Sequence, residues 1–460
     1  MPVSSGFLIF EMRRDLMKTR QATLLLFSVL VLITFSQSIG RIFSGPPDLP
    51  NPRRINGESL ANVPPVEDAI QFMQDKIRAN PEDAVSYTLL GDLYMRQARE
   101  TGDISAYQRA KESLHKALEL LPCNSTAGSS LASVYYATHD FEKALDLAEQ
   151  IYESNPKNSQ ARIVVADAYL SLGNYQEAET IYNEIGDINL TPPILARLAN
   201  LAELKGNPDE ALILIRTAAG NTLRSGGTKE NAAWYLLRVG DIYFNQGEIK
   251  YAGEFYEASL RVFNDYYLAL AGLGKVRAAE GKFDEAIDYY QRAIHIVPQP
   301  DFIAALGDLY TITDQPDQAQ IQYKTVEYIG KLAVLNQQVY NRQLANFYSD
   351  HDINLDESLR LALAELDSRK DIYGYDAAAW AYYKNGRYND AQAMMEQALS
   401  LGTRDARLYY HAGMIAYALQ NNGQARQYLD QALEINPHFS ILQSVEAQKT
   451  LQSLQEIATK

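Results

Sequence analysis

Cysteine is almost absent from this 460-residue chain: Cys123 stands alone, so neither an intrachain disulfide nor a cysteine-based metal cluster can form. Histidine is scarce at six residues and tryptophan scarcer at two. No G-x-x-x-x-G-K-S/T, G-x-S-x-G, H-E-x-x-H or dinucleotide-type glycine run occurs, which removes the common phosphate, hydrolase and zinc-protease signatures. Positive charge is short as well. Lys and Arg number 42 against 57 Asp and Glu, for a formal net charge of -15. Because the first 54 residues hold seven basic and three acidic groups, the remainder carries -19. That excess argues against a nucleic-acid backbone as partner, since phosphate binding needs a basic face. It suits cationic ligands, and plain solubility equally.

Long apolar runs are missing too, with one short exception. Lys18 and Arg20 precede an uncharged stretch, Gln21 to Gly40, whose apolar centre runs from Leu24 to Phe35. This is the length of a secretory core, short of the roughly twenty residues that span a bilayer. Residues 1–43 therefore read as a signal peptide, with Ser36 and Ser38 marking a cleavage site, or as an uncleaved anchor continuing through Ile42 and Phe43. Arg13, Arg14, Lys18 and Arg20 keep the near side cytoplasmic in both readings. Both place the remainder outside the cytoplasm, whether periplasmic, secreted or anchored, with membrane contact only through this segment. Residues 1–16 look like an upstream extension. Six prolines between Ser44 and Pro65 then give an extended linker, residues 44–65.

What is abundant is repetition. An alanine just inside a helical run falls at Ala110, Ala144, Ala178, Ala211, Ala252, Ala286 and Ala319, then at Ser358, Ala391 and Ala425. The spacing stays near 34 residues, and a fixed period overrides local readings. In most units a small residue precedes the marker by twelve, as at Ala132, Ala166, Gly240, Gly274 and Gly413; three beyond it an aromatic recurs, as at Tyr135, Tyr169 and Tyr243. Gly and Ala at these slots let two antiparallel helices approach closely, while larger residues such as Tyr290 and Leu429 fill what is left. Gly173, Gly206, Gly247, Gly281 and Gly386 mark the turns, and Asn207 is expected to cap the helix starting at Pro208. Insertions near 99–105, 220–230 and 329–336 are expected to lengthen loops or helices there.

"YTLLGDLY" (Tyr87 to Tyr94) and "GKFDEAIDYYQRAIHIVP" (Gly281 to Pro298) carry a resemblance to the tetratricopeptide repeat family, in ten full units plus a half unit from Val66. No unit has Trp in the first slot, and the unit around Ala345 matches poorly. The resemblance implies an all-α, right-handed α-solenoid over residues 66–439, closed by a capping helix and tail at 440–460.

It also implies where a partner sits. In the family, first helices line a concave groove, and the residue after the small slot points into it. Here that position reads Asp92, Asp167, Asn200, Asp241, Asp308 and Asn346, a polar ladder suited to an extended peptide backbone and basic side chains. The final units offer Tyr373, Trp380, Tyr383, Tyr410 and Tyr417 instead, either as an aromatic interface or as packing for the capping helix. Arg342 and Asn346 have the spacing of a carboxylate clamp, but Ala377 stands where its amide is required, so no clamp is expected. "SDHDI" (Ser349 to Ile353) reads as an acidic turn rather than a metal site. The sequence thus implies no catalytic residue, metal or cofactor. Its expected role is an exported scaffold binding proteins or peptides in its groove, with a structural part in a cell-envelope assembly such as polysaccharide export or secretion machinery as the alternative. Oligomeric state is not readable from the chain.

Overall fold

The structure, a computed structural model, describes residues 49–458 apart from Ser59, Asn62 and 336–340. Residues 50–460 form one compact unit. The basic-then-apolar run at 17–40 lies outside the described residues. Among those described, no helix is long and apolar enough to cross a membrane.

Twenty-two α-helices succeed one another among the described residues, with an isolated bridge between Ala61 and Thr228 in place of any strand. Twenty pair as ten hairpins, from Ala84–Thr101 with Ser105–Leu120 (unit 1) to Ala406–Ala418 with Asn422–Ile435 (unit 10). Val66–Ala79 precedes them and Gln443–Ala458 follows. The expected all-α solenoid is the observed architecture. First helices of successive units pack on one another and so converge on the inner wall.

Each hairpin closes as its small slots require. An added Cβ at Gly274 would lie 2.7 Å from the Tyr290 ring, and one at Gly413 would lie 2.7 Å from the Leu429 side chain. The large residue sits sixteen positions after the glycine here, as Tyr256 does beneath Gly240, and the insertion in the first unit moves it to Leu114, twenty-three after Gly91. First helices start on side-chain caps such as Asn124, Asn158 and Asp371. Second helices mostly do not, and Asn207 makes no side-chain cap bond. There the turn itself does the work. Gly206 adopts φ +75°, and the Asn207 N–H donates to the Ala202 carbonyl at 2.8 Å, which satisfies the end of the first helix by backbone alone. The insertions lengthen helices: Ala84–Thr101 and Pro208–Ser225 have 18 residues and Pro316–Leu335 has 20.

The array also touches itself one turn later. Ile372 N–H donates to the Tyr175 hydroxyl, Thr403 to the Leu204 carbonyl and Asn436 to the Phe244 carbonyl, across 197, 199 and 192 residues. In the first two an interhelix turn region meets the loop before the unit six places on, and in the third it meets the loop before the final helix. Leu204, Ile372 and Leu408 pack together at this seam, with Tyr175 and Leu401 beside them. The proline-rich stretch takes part as well: Arg261 donates to the Pro52 carbonyl at 2.6 Å, and Arg53 pairs with Glu254 at 2.6 Å.

Candidate functional site

Six units per turn, with turn lying on turn, convert the expected open groove into a narrow bore lined by first helices. The polar ladder occupies this wall, but much of it is engaged within the molecule. Asp167 is buried, accepts from the Tyr182 hydroxyl at 2.6 Å and takes a two-pronged contact from Arg197 at 2.7 and 2.6 Å. Asp241 accepts from Tyr256 and pairs with Arg238. Asp308 accepts from Tyr323 and from His351. In all three units the tyrosine stands fifteen residues after the aspartate, on the helix that closes the hairpin. Burial, and then the nearby aspartate, push the Tyr182 and Tyr256 hydroxyls well above the usual tyrosine range, so they stay protonated and donate. Asp92, Asn200 and Asn346 are half-buried on the same wall, and the Asn346 side-chain oxygen is buried with no hydrogen-bond partner among the described residues.

The aromatic end is covered by the chain itself. Trp380 and Tyr410 are fully buried. Trp380 stacks on Tyr383 and on His411, and its Nε1–H donates to Asp350 at 2.7 Å. Tyr410 donates to Glu446 of the final helix at 2.6 Å and its ring meets Phe439. Gln443 reaches Asp350 at 2.6 Å from the start of the same helix. Of the two readings open in the sequence, these contacts belong to packing on the capping helix. Tyr373 is half-buried beside the seam, and Tyr417 is the exposed member of the set.

"SDHDI" disperses as a turn does. His351 binds Asp308 and the Phe347 carbonyl, Asp350 binds Trp380, and Asp352 pairs with Lys384. Both His351 nitrogens meet acceptors, an arrangement that favours the doubly protonated ring. Burial opposes that charge, but the Asp308 carboxylate outweighs it and raises the imidazole above its ordinary value. No group of three metal-ligating side chains converges among the described residues.

Sequence reasoning missed a second set on the wall. Lys275, Asp301 and Arg407 make no ion pair or side-chain hydrogen bond with any described residue. They lie within electrostatic reach of one another: Arg407 and Lys275 both pull on the Asp301 carboxyl. Asp301 is solvent-exposed, yet desolvation is the largest influence on it and raises its carboxyl above the usual range. Asp301 thus keeps solvent contact while protein atoms crowd around it. Burial acts to lower the Arg407 guanidinium, and Asp376, Asp405 and Asp350 outweigh it. Lys275 was legible as the lysine that breaks the aspartate ladder. Asp301 and Arg407 stand six residues before the small slot, a position that no single unit marks as inward-facing.

A tetratricopeptide repeat family model matches residues 136–191, and a second of the same description matches 237–299 and 377–438. The chain is 26% identical over 215 residues to human protein O-mannosyl-transferase TMTC1, covering 46% of this chain and 23% of that protein. It is 20% identical over 327 residues to the TPR repeat-containing protein YpiA of Bacillus subtilis, covering 70% and 64%. Both matches take in less than two thirds of the relative's length. Among solved structures, a human IFIT1 dimer with PPP-AAAA is similar at a TM-score of 0.48 and 18% identity, over 73% of this chain and 78% of that one.

Proposed function

We propose that this chain, a tetratricopeptide-repeat protein, is a non-catalytic scaffold whose bore holds an extended segment of another protein. The observation that carries this reading is the set Lys275, Asp301 and Arg407, charges of both signs that form no direct ion pair with a described residue and act on neighbouring charges only at longer range, on an inner wall whose other carboxylates are mostly engaged. Such a wall favours a polar segment that brings its own complementary charges, with backbone groups meeting Asn200 and Asn346. The test is affinity capture with intact protein and with a Lys275→Glu/Asp301→Lys double variant. The variant should lose most of its recovered partner, whereas equal recovery by both would refute binding in the bore.

The basic-then-apolar run at 17–40 supports placing the array outside the cytoplasm. Protease added to cells with an opened envelope but sealed inner membrane should degrade it. Survival until that membrane is broken would refute the placement.

A further inference from the structure

A different face of the molecule carries an inference beyond the bore. The second helix of unit 7, Pro316–Leu335, is 20 residues long, where the second helices of units 6 and 8 have 14. Ile321, Tyr328 and Leu332 are exposed along it, at 54%, 60% and 38%. Their spacings of seven and four put them in one line on the helix surface, a stripe about 16 Å long at 1.5 Å per residue. The repeat supplies its own control. At the position two after the marker, where unit 7 has Ile321, other units expose Asp146, Asp288 or Arg360; at the position of Tyr328 they expose Glu153, Asp187 or Asp367. Of the ten units, unit 7 alone exposes a large apolar residue at both. Packing within the solenoid does not ask for it, since every other hairpin closes without it.

The flank selects the occupant. Lys324 and Lys331 are exposed on one side of the stripe beside Tyr328 and Leu332 and pair with no described residue, while the exposed Asp317 ends their line below Ile321, in a chain whose net charge is -15. Two copies meeting through this stripe would bring lysine rows together. An anionic bilayer would meet Asp288 and Asp367 on the neighbouring outer helices. We propose that this stripe docks an amphipathic helix of another protein, apolar on one face and acidic along one flank.

The test uses the full chain and synthetic 18-residue helical peptides with a leucine stripe, flanked by glutamate in one and lysine in the other. By fluorescence anisotropy the glutamate-flanked peptide should bind more tightly. An Ile321→Ser/Tyr328→Ser variant should weaken it at least tenfold, the loss expected when central anchors go. Lys324→Glu/Lys331→Glu should reverse the preference toward the lysine-flanked peptide. Equal binding of both peptides, or binding unmoved by either variant, would overturn the proposal. So would concentration-dependent dimers abolished by Tyr328→Ser, which assign the stripe to a second copy, or Tyr328-dependent binding to phosphatidylserine vesicles, which assign it to a membrane. Neither variant touches Lys275, Asp301 or Arg407, so failure here leaves the bore reading standing, and the reverse holds.

Discussion

Units 1–5 and units 6–10 use one repeat, yet their turns and inner charges meet different surroundings. In the first half, the interhelix turns lie against the next superhelical turn. A Cβ at Gly173 would fall 2.5 Å from the Lys370 carbonyl oxygen, and one at Gly206 would run into that of Gly402. In the second half, Gly281 and Gly386 hold the same left-handed conformation, φ +72°, with nothing within 4 Å. On the inner wall, Asp167 and Asp241 of the first half and Asp308 of the second are tied to Tyr, Arg or His neighbours, while Lys275, Asp301 and Arg407, all in units 6–10, form no ion pair among the described residues. A repeat therefore specifies its own hairpin, and position in the superhelix decides whether the same groups hold the molecule together or stay available.

The largest test of that division is a pair of aspartates. Asp167→Ala leaves Arg197 and Tyr182 without their acceptor in a mostly buried setting and should cost about 3 kcal/mol. Asp301→Ala breaks no described bond and should stay within about 0.5 kcal/mol. Urea unfolding of the two variants compares them, and equal losses would erase the distinction. Gly206→Ala against Gly386→Ala comes next. Both pay about 1 kcal/mol for a side chain at positive φ, and the seam variant should lose about 2 kcal/mol more. Faster amide exchange at 402–404 in that variant alone would localise the loss to the seam.

Two histidines near equivalent turns sharpen the contrast through pH. Burial and then Arg369 and Arg342 push His139 down to about 4, so the folded state keeps it neutral while the unfolded chain takes up a proton below about 6.5. Its contribution should fall as pH drops from 6.5 toward 4, by roughly 3 kcal/mol. His351 runs the other way. Its raised value means its stabilisation is complete below about 6.5 and is lost as pH climbs past that value. Urea midpoints against pH should lose the acid-side slope in His139→Gln and the opposite slope in His351→Gln. Loss of the same slope in both would show that the two turns do not differ in charge environment.

Within a hairpin, legibility was high. The Gly274–Tyr290 and Gly413–Leu429 closures follow from small and large residues at fixed spacing, because both partners lie within one unit and pack on their nearest surface. The cap expected at Asn207 failed for a local reason, since a backbone turn around Gly206 already satisfies that helix end. The aromatic end could not be resolved from the chain, because Gln443 and Glu446 return to Asp350 and Tyr410 from the final helix, across a separation no periodicity marks. The unpaired Asp301 and Arg407 were hidden for the same reason, as their neighbours come from several different units.

By itself the sequence determined the period, the helical hairpins and the small-residue slots, since these depend on contacts inside one unit or between neighbours, and only the resemblance it carries implied that first helices line the concave side. Only the tertiary structure decided that six units complete a turn and that the turn lands on the next. That outcome is the sum of small rotations and three lengthened helices, and a sum over two hundred residues is written in no single repeat.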